Sequence, residues 1–316
     1  MIRKDNSTWK GYLCGIIAAA TYGMNPLFAL PLYKDGMDTD SVLFFRYLFA
    51  SIIIGLMIKA RGRNFRVSRK DVTPLLVMGF LCAFSSLALF VSYSYMEAGI
   101  ASTILFVYPI FVAVIMALFF KERLTLLTVF CILLALGGIA LLYKGENGAT
   151  LSTTGIGFVM ASALAYAIYI VGVNQSRLRQ MPTVKLTFYV ILLGAFLFLG
   201  RLLWKGEIIL PTQWYLWGNI VALAALPTAI SFMATTKAIQ YIGSTPTAIL
   251  GALEPVTAIF FGVLVFGEVL TPRLCTGILL ILIAVTLIIA GGSFSAVLLR
   301  FRKLFPKLRR NRNKAS

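Results

Sequence analysis

One pattern occurs twice in this chain. Residues 95–143 (YMEAGIASTILFVYPIFVAVIMALFFKERLTLLTVFCILLALGGIALLY) align without a gap, at a shift of 146, with residues 241–289 (YIGSTPTAILGALEPVTAIFFGVLVFGEVLTPRLCTGILLILIAVTLII). Tyr95 falls on Tyr241, Pro109 on Pro255, Phe120 on Phe266, Glu122 on Glu268, and Leu124–Thr125 on Leu270–Thr271. Farther out, Ala19 and Tyr22 meet Ala163 and Tyr166 at a shift of 144. Self-similarity over this length means two copies of one structural unit.

The solvent for those units is lipid. Hydrophobic residues make up 59% of the chain and charged residues 13%, against about 45–50% and about 25% in soluble domains. A span needs about 20 apolar residues. Ten such runs lie near 11–32, 41–59, 73–95, 98–120, 125–143, 153–173, 184–203, 213–237, 243–266 and 271–291. The first is longer than the apolar core of a signal peptide and reads as a transmembrane helix. Only Met96 and Glu97 separate the third and fourth runs, which predicts a tight hairpin. The expected fold is therefore an all-α integral membrane protein of ten transmembrane helices. Five spans per copy is an odd number, so the second copy enters the membrane from the opposite side and the repeats are inverted. The expected units are residues 10–145, residues 150–292 and a basic cytoplasmic tail, 293–316.

The net charge of +18 follows from where the basic residues stand. With a cytoplasmic N-terminus, only Lys34, Lys144, Arg201, Lys205 and Arg273 fall outside, and Arg46 lies within a span. The other 23 of the 29 Lys and Arg fall on the cytoplasmic side. That bias places both termini inside and makes anionic membrane lipid, not nucleic acid, the partner of the basic segments. The chain has no histidine, and Cys14, Cys82, Cys131 and Cys275 lie singly in apolar runs. No metal site, cofactor or Ser-His-Asp set is expected. The phosphate loop of nucleotide-driven machines is also missing.

The small-residue run AAATYG in the first span, Arg46 in LFFRYLFA, and the blocks YPIFVAVIMALFFKERLT and EPVTAIFFGVLVFGEVLT carry a family resemblance. The chain resembles the EamA type of the drug/metabolite transporter superfamily over about residues 10–292. The resemblance implies a ten-helix inverted-repeat carrier of the inner membrane, often an exporter of amino acids or other metabolites.

Glu254 is the first candidate site residue. It lies near the middle of its span, where a charge costs at least roughly 2.5–3.5 kcal/mol on insertion scales. Such an acid is expected to face a cavity or a partner, and to take up and release a proton as access alternates; the other reading is a neutral carboxyl that fixes packing beside Pro255. Its repeat mate is the uncharged Tyr108. Arg46 either holds a substrate carboxylate, pairs with an acid, or snorkels to the outer headgroups. Pro109 and Pro255, with Asn25–Pro26, are expected to kink their helices in mid-span, as gating points or as static bends. Glu122 and Glu268 stand at span ends, where Thr125 and Thr271 suit the caps of the next helices. Thr228, Ser231 and Thr235 fall on one helical face, and Ser85, Ser92 and Tyr95 on another. With Tyr22, Asn25, Tyr166 and Tyr169 they form a predicted cavity wall for a small amphipathic solute, or else interhelical packing.

The expectation is a secondary carrier of small metabolites, driven by a proton or substrate gradient. The alternatives are a membrane-embedded enzyme or lipid-handling protein, or a drug, sugar or nucleoside carrier of the same fold.

Overall fold

The computed structural model describes residues 2–92, 94–95, 101, 104–122, 125–142, 152–266, 271–273 and 275–287. The hairpin expected at Met96–Glu97, the glutamate Glu268 and the basic tail 293–316 lie outside them. Among the described residues the regular structure is helical, in the order α1 (Ile2–Tyr22), α2 (Asn25–Lys34), α3 (Thr39–Ala60), α4 (Arg69–Ser92), α5 (Tyr108–Phe120), α6 (Leu126–Leu142) and α7 (Thr153–Gln175). After a 3-10 turn at Arg177–Gln180 come α8 (Thr183–Lys205), α9 (Leu216–Leu223), a π-helical segment (Ala224–Ile230), α10 (Ser231–Ile242), α11 (Ser244–Leu250) and α12 (Leu253–Phe266). The last is α13 (Cys275–Leu287). Seven helical stretches are long and apolar enough to span a membrane, and α5, α6 and α13 are shorter apolar helices. These are the ten spans of the expected fold class.

The helix starts follow local chemistry. Asp38 caps α3 by accepting from the Ser41 amide at 3.1 Å, and Ser152 caps α7 by accepting from Gly155. Thr125 accepts from the Thr128 amide at 3.1 Å ahead of α6, as a capping threonine does. Pro272 stands at the first helical position after Thr271, where its missing N–H has no partner to lose. At the α10–α11 corner Gly243 adopts φ 87°, a left-handed conformation that a Cβ would oppose.

The helices pair across the repeats. The tightest packing joins α4 to α7, α1 to α10 and α3 to α8. In span numbers these are three with six, one with eight, and two with seven. Moving each span to its mate turns the first pair into the second and leaves the third unchanged, as a two-fold axis relating the halves requires. One continuous apolar core therefore draws on both repeats. Small residues permit the close approach: a Cβ at Gly194 on α8 would stand 2.5 Å from the Tyr47 ring on α3, and one at Gly172 on α7 2.5 Å from Met78 on α4.

The loops gather at two ends. At one end Lys185 Nζ donates to the Arg66 carbonyl at 2.9 Å, and Gln240 Nε2 donates to the Met181 carbonyl. At the other, Asp38 pairs with Lys205 at 2.6 Å and Asp40 with Arg201 at 2.8 Å. There too the Thr212 amide donates to Asp35, so the α2–α3 turn is tied to the end of α8 and the loop after it.

The prolines correct one expectation. Pro26 and Pro109 do not bend continuous helices; each occupies the first turn of a new helix. Pro255 likewise follows a break at Gly251–Ala252 and lies in the first turn of α12. The fourth and ninth spans are thus discontinuous at matching places, with Phe106–Val107 as the break in the first half.

Candidate functional site

The two breaks meet at a cavity. Its walls come from Tyr22 at the end of α1, Cys82, Ser85, Ser86 and Leu89 on α4, Leu105 and Tyr108 around the start of α5, Tyr166 on α7, Phe232 on α10 and Glu254 on α12. Two of the pairs, Tyr22 with Tyr166 and Tyr108 with Glu254, are repeat mates. The cavity therefore sits where the two halves face each other. The space open to the centre of a water molecule is about 10 Å³, roughly one water's worth.

Aromatic rings make one wall. Tyr108 meets Tyr166 edge-on with centroids 5.0 Å apart, and Tyr166 stacks on Tyr169 at 6.0 Å. Tyr22 lies against Phe232 at 6.4 Å. Serine hydroxyls on α4 add polar groups to the lining. Ser162 on α7 donates to the Ser85 carbonyl at 2.7 Å, and Tyr47 and Ser86 share a hydrogen bond of 2.7 Å. At the α11–α12 break, Ala248 O accepts both the Gly251 amide at 3.2 Å and the Tyr108 hydroxyl at 3.1 Å.

Glu254 brings the acid to this cavity. Its first-turn position in α12 follows directly from the break, and α1 packs closely on it: a Cβ at Gly23 would stand 2.4 Å from the Glu254 carbonyl oxygen. The residue is half-buried and borders the free space. The ion pairs among the described residues are Asp40–Arg201 and Asp38–Lys205, so Glu254 has no cation paired with it there.

Arg46 lies over the Tyr22 ring and is not among the residues that line the cavity. It is completely buried, so it does not snorkel to a headgroup. Its Nε donates to Thr228 Oγ1 at 2.6 Å, and its guanidinium carbon stands 5.7 Å from the Tyr22 ring centroid and 5.9 Å from that of Phe90. Nη1 and Nη2 are buried with no hydrogen-bond partner. The π-helical segment explains the placement of Thr228. Pro227 lies inside this segment, and the Thr228 hydroxyl donates to the Leu223 carbonyl at 2.8 Å, which aims its oxygen lone pairs at Arg46. Such segments often occur at functional sites.

The other sequence candidates divide. Ser231 donates to the Ala18 carbonyl at 3.0 Å, bridging α10 to α1. Asn25 stands at the start of α2, its Oδ1 buried without a partner. Tyr95 is not part of the site: it lies beyond the end of α4, exposed, its ring stacked on Phe158 at 5.8 Å. Ser92 is turned back onto the Leu89 carbonyl. Glu122 stands exposed after α5. Cys82, Ser86, Leu89, Leu105 and Phe232 line the cavity without having been singled out as site residues. The spacing of Cys82, Ser85, Ser86 and Leu89 on one helical face was the available signal.

The model of a family described as the EamA-like transporter family matches twice, at residues 9–144 and 153–290. An uncharacterised transporter of Archaeoglobus fulgidus is 30% identical over 237 residues, covering 75% of this chain and 81% of its own. A protein described as the uncharacterised inner membrane transporter YicL of Salmonella typhimurium is 26% identical and covers 89% of this chain and 96% of its own. The pseudopaline exporter CntI of Pseudomonas aeruginosa is 23% identical, covering 87% and 94%. A solved crystal structure superposes with a TM-score of 0.74 at 20% identity, over 88% of this chain and 95% of that one.

Proposed function

The chain belongs to the EamA-like transporter family, and from that premise we propose that this multi-pass membrane transporter exports small metabolites, amino acids among them, across the inner membrane by alternating access. The observation that carries the proposal is the cavity at the junction of the repeats, lined by the mates Tyr22 and Tyr166 and the mates Tyr108 and Glu254. In an inverted repeat, exchanging the conformations of the two halves turns an inward opening into an outward one around a fixed site. The cavity has room for about one water molecule, too little for a metabolite, so loading requires the walls to part. The helix breaks ahead of Pro109 and Pro255 offer matched points at which the spans flex.

The halves are equal in backbone and unequal in chemistry. Glu254 supplies an ionisable group where Tyr108 supplies a hydroxyl, so a proton taken up on one side and released on the other biases the cycle. The exporter direction draws on CntI, named for exporting pseudopaline, and the inner membrane on the name of YicL. Cytoplasmic termini follow from the positive-inside bias, which also makes anionic lipid headgroups partners of the basic loops. The test is uptake by the purified protein in liposomes of labelled amino acids, sugars and nucleosides, with and without a pH gradient. Accumulation of at least one solute class supports carriage; failure of every class to move above protein-free liposomes contradicts it.

A further inference from the structure

Arg46 combines three properties that rarely occur together. It is completely buried, it has no acid paired with it among the described residues, and two of its three nitrogens lack an acceptor. A guanidinium stays charged at any working pH. Burying such a charge without a counter-ion is expensive. Its one hydrogen bond goes to Thr228, and that bond uses only Nε. The Tyr22 and Phe90 rings attract the cation but accept none of its hydrogen bonds. The π-helical segment and the two rings thus hold a planar fork in place with both prongs buried and without an acceptor.

We infer that Arg46 is the docking point for a carboxylate-like anionic group on the transported solute. A planar two-oxygen anion accepts from both Nη1 and Nη2 at once and supplies the missing charge. The inference rests on the transporter reading and deepens it, because it fixes the substrate class: a small solute with an apolar body for the aromatic wall and an acid group for Arg46. Tyr22 gives the route. Its ring is at once a wall of the cavity and the surface over which the guanidinium lies, so displacement of this one ring joins the cavity to the fork. A purely structural arginine, held only by Thr228 and the two rings, needs no such geometry, and a lysine would satisfy its charge nearly as well.

The test is thermal unfolding of the purified full chain at constant ionic strength. The ligands are leucine, phenylalanine, 4-methylpentanoate and benzoate, each set against its carboxamide, with chloride as a separate arm. The expected result is a midpoint raised by at least one carboxylate and not by its amide. In Arg46→Lys the half-saturating concentration should rise roughly 10-fold or more, since a charge-assisted bidentate contact is lost while the charge remains. Tyr189→Phe, whose hydroxyl donates to the Phe65 carbonyl in the loop after α3 and which is not a cavity residue, should keep the wild-type ligand response. Equal responses to acids and amides, no response to any acid, or an unchanged Arg46→Lys would overturn the assignment. A chloride response matching that of the carboxylates would also overturn it, making the site one for an inorganic ion. Liposome uptake of a solute without an acid group would then still support the transporter reading, so the two fail separately.

Discussion

The Tyr108 hydroxyl fills the space that a side chain at Gly251 would need: a Cβ at Gly251 would stand 1.7 Å from the tyrosine oxygen. The same hydroxyl donates to Ala248 at 3.1 Å. One repeat's broken span is thereby latched onto the break in the other's, three residues before Glu254. The latch is available only because position 251 is glycine.

Gly251→Ala should therefore disrupt the junction. Overpacking of this kind costs about 1–3 kcal/mol, and the tyrosine cannot withdraw without losing its hydrogen bond. Adding Tyr108→Phe removes the clashing oxygen and should restore much of the lost stability, although the ring carbon stays 3.0 Å from the new Cβ. Unfolding midpoints of the two single variants and the double variant check this. Additive losses would contradict the latch.

Thr228 supports Arg46 through its hydroxyl. Thr228→Val keeps the shape and leaves the guanidinium with no hydrogen bond from the described residues, an expected loss of about 1.5–3 kcal/mol. Thr228→Ser retains the oxygen and should stay close to wild type. Unfolding in detergent distinguishes them, and equal stability of the Val and Ser variants would show that the contact at 2.6 Å contributes little.

Much of this site is legible in the sequence because the two repeats align without a gap. The shift of 146 made Tyr108 and Glu254 mates, and that of 144 paired Tyr22 with Tyr166; all four line one cavity. What was hidden depends on backbone irregularity. Helical spacing placed Thr228 and Ser231 on one face, yet the π-helical segment around Pro227 sends Thr228 to Arg46 and leaves Ser231 on the Ala18 carbonyl. Pro109 and Pro255 read as kinks in continuous helices, because a sequence does not show that the chain breaks first. Tyr95 matched the pattern of α4 but lies past its end. Cys82 and Phe232 are ordinary apolar residues whose role comes only from what faces them.

The clasp between Asp40 and Arg201 is asymmetric. Asp40 is buried, while Arg201 is about half exposed. Removing the cation in Arg201→Ala strands a buried carboxylate and should cost about 1–3 kcal/mol. Asp40→Asn leaves an arginine that water can solvate and should cost less. Unfolding midpoints give the order, and the reverse order would contradict the account.

Asp38 sets the acid limit of the neighbouring contact. Burial pushes its carboxyl up, but the Lys205 ammonium and the hydroxyl and amide of Ser41 outweigh burial and hold it below the ordinary carboxylate range. A lowered folded-state value means that its contribution is complete above the unfolded value of about 3.9 and is lost as pH falls through the lowered one. The difference in midpoint between wild type and Asp38→Asn should stay flat from about pH 5 to 8 and shrink below about 4. A difference that changes near neutrality would assign the contact to another group.

Orientation is testable with single cysteines at exposed positions in a chain lacking the four native ones. Arg63→Cys should be reached only by a reagent on the cytoplasmic side and Lys34→Cys only from outside, as the distribution of basic residues requires. Labelling of position 63 from outside would reverse the topology.

The most direct measurement is solute accumulation in liposomes under an imposed pH gradient, wild type against Glu254→Gln. Glutamine keeps the size and hydrogen-bonding capacity of the acid but carries no exchangeable charge. Wild type should accumulate solute in step with the gradient. The Glu254→Gln protein should lose that accumulation and still exchange labelled for unlabelled solute across the membrane. A Glu254→Gln protein that still accumulates solute in proportion to the gradient would contradict the claim that protons act through Glu254.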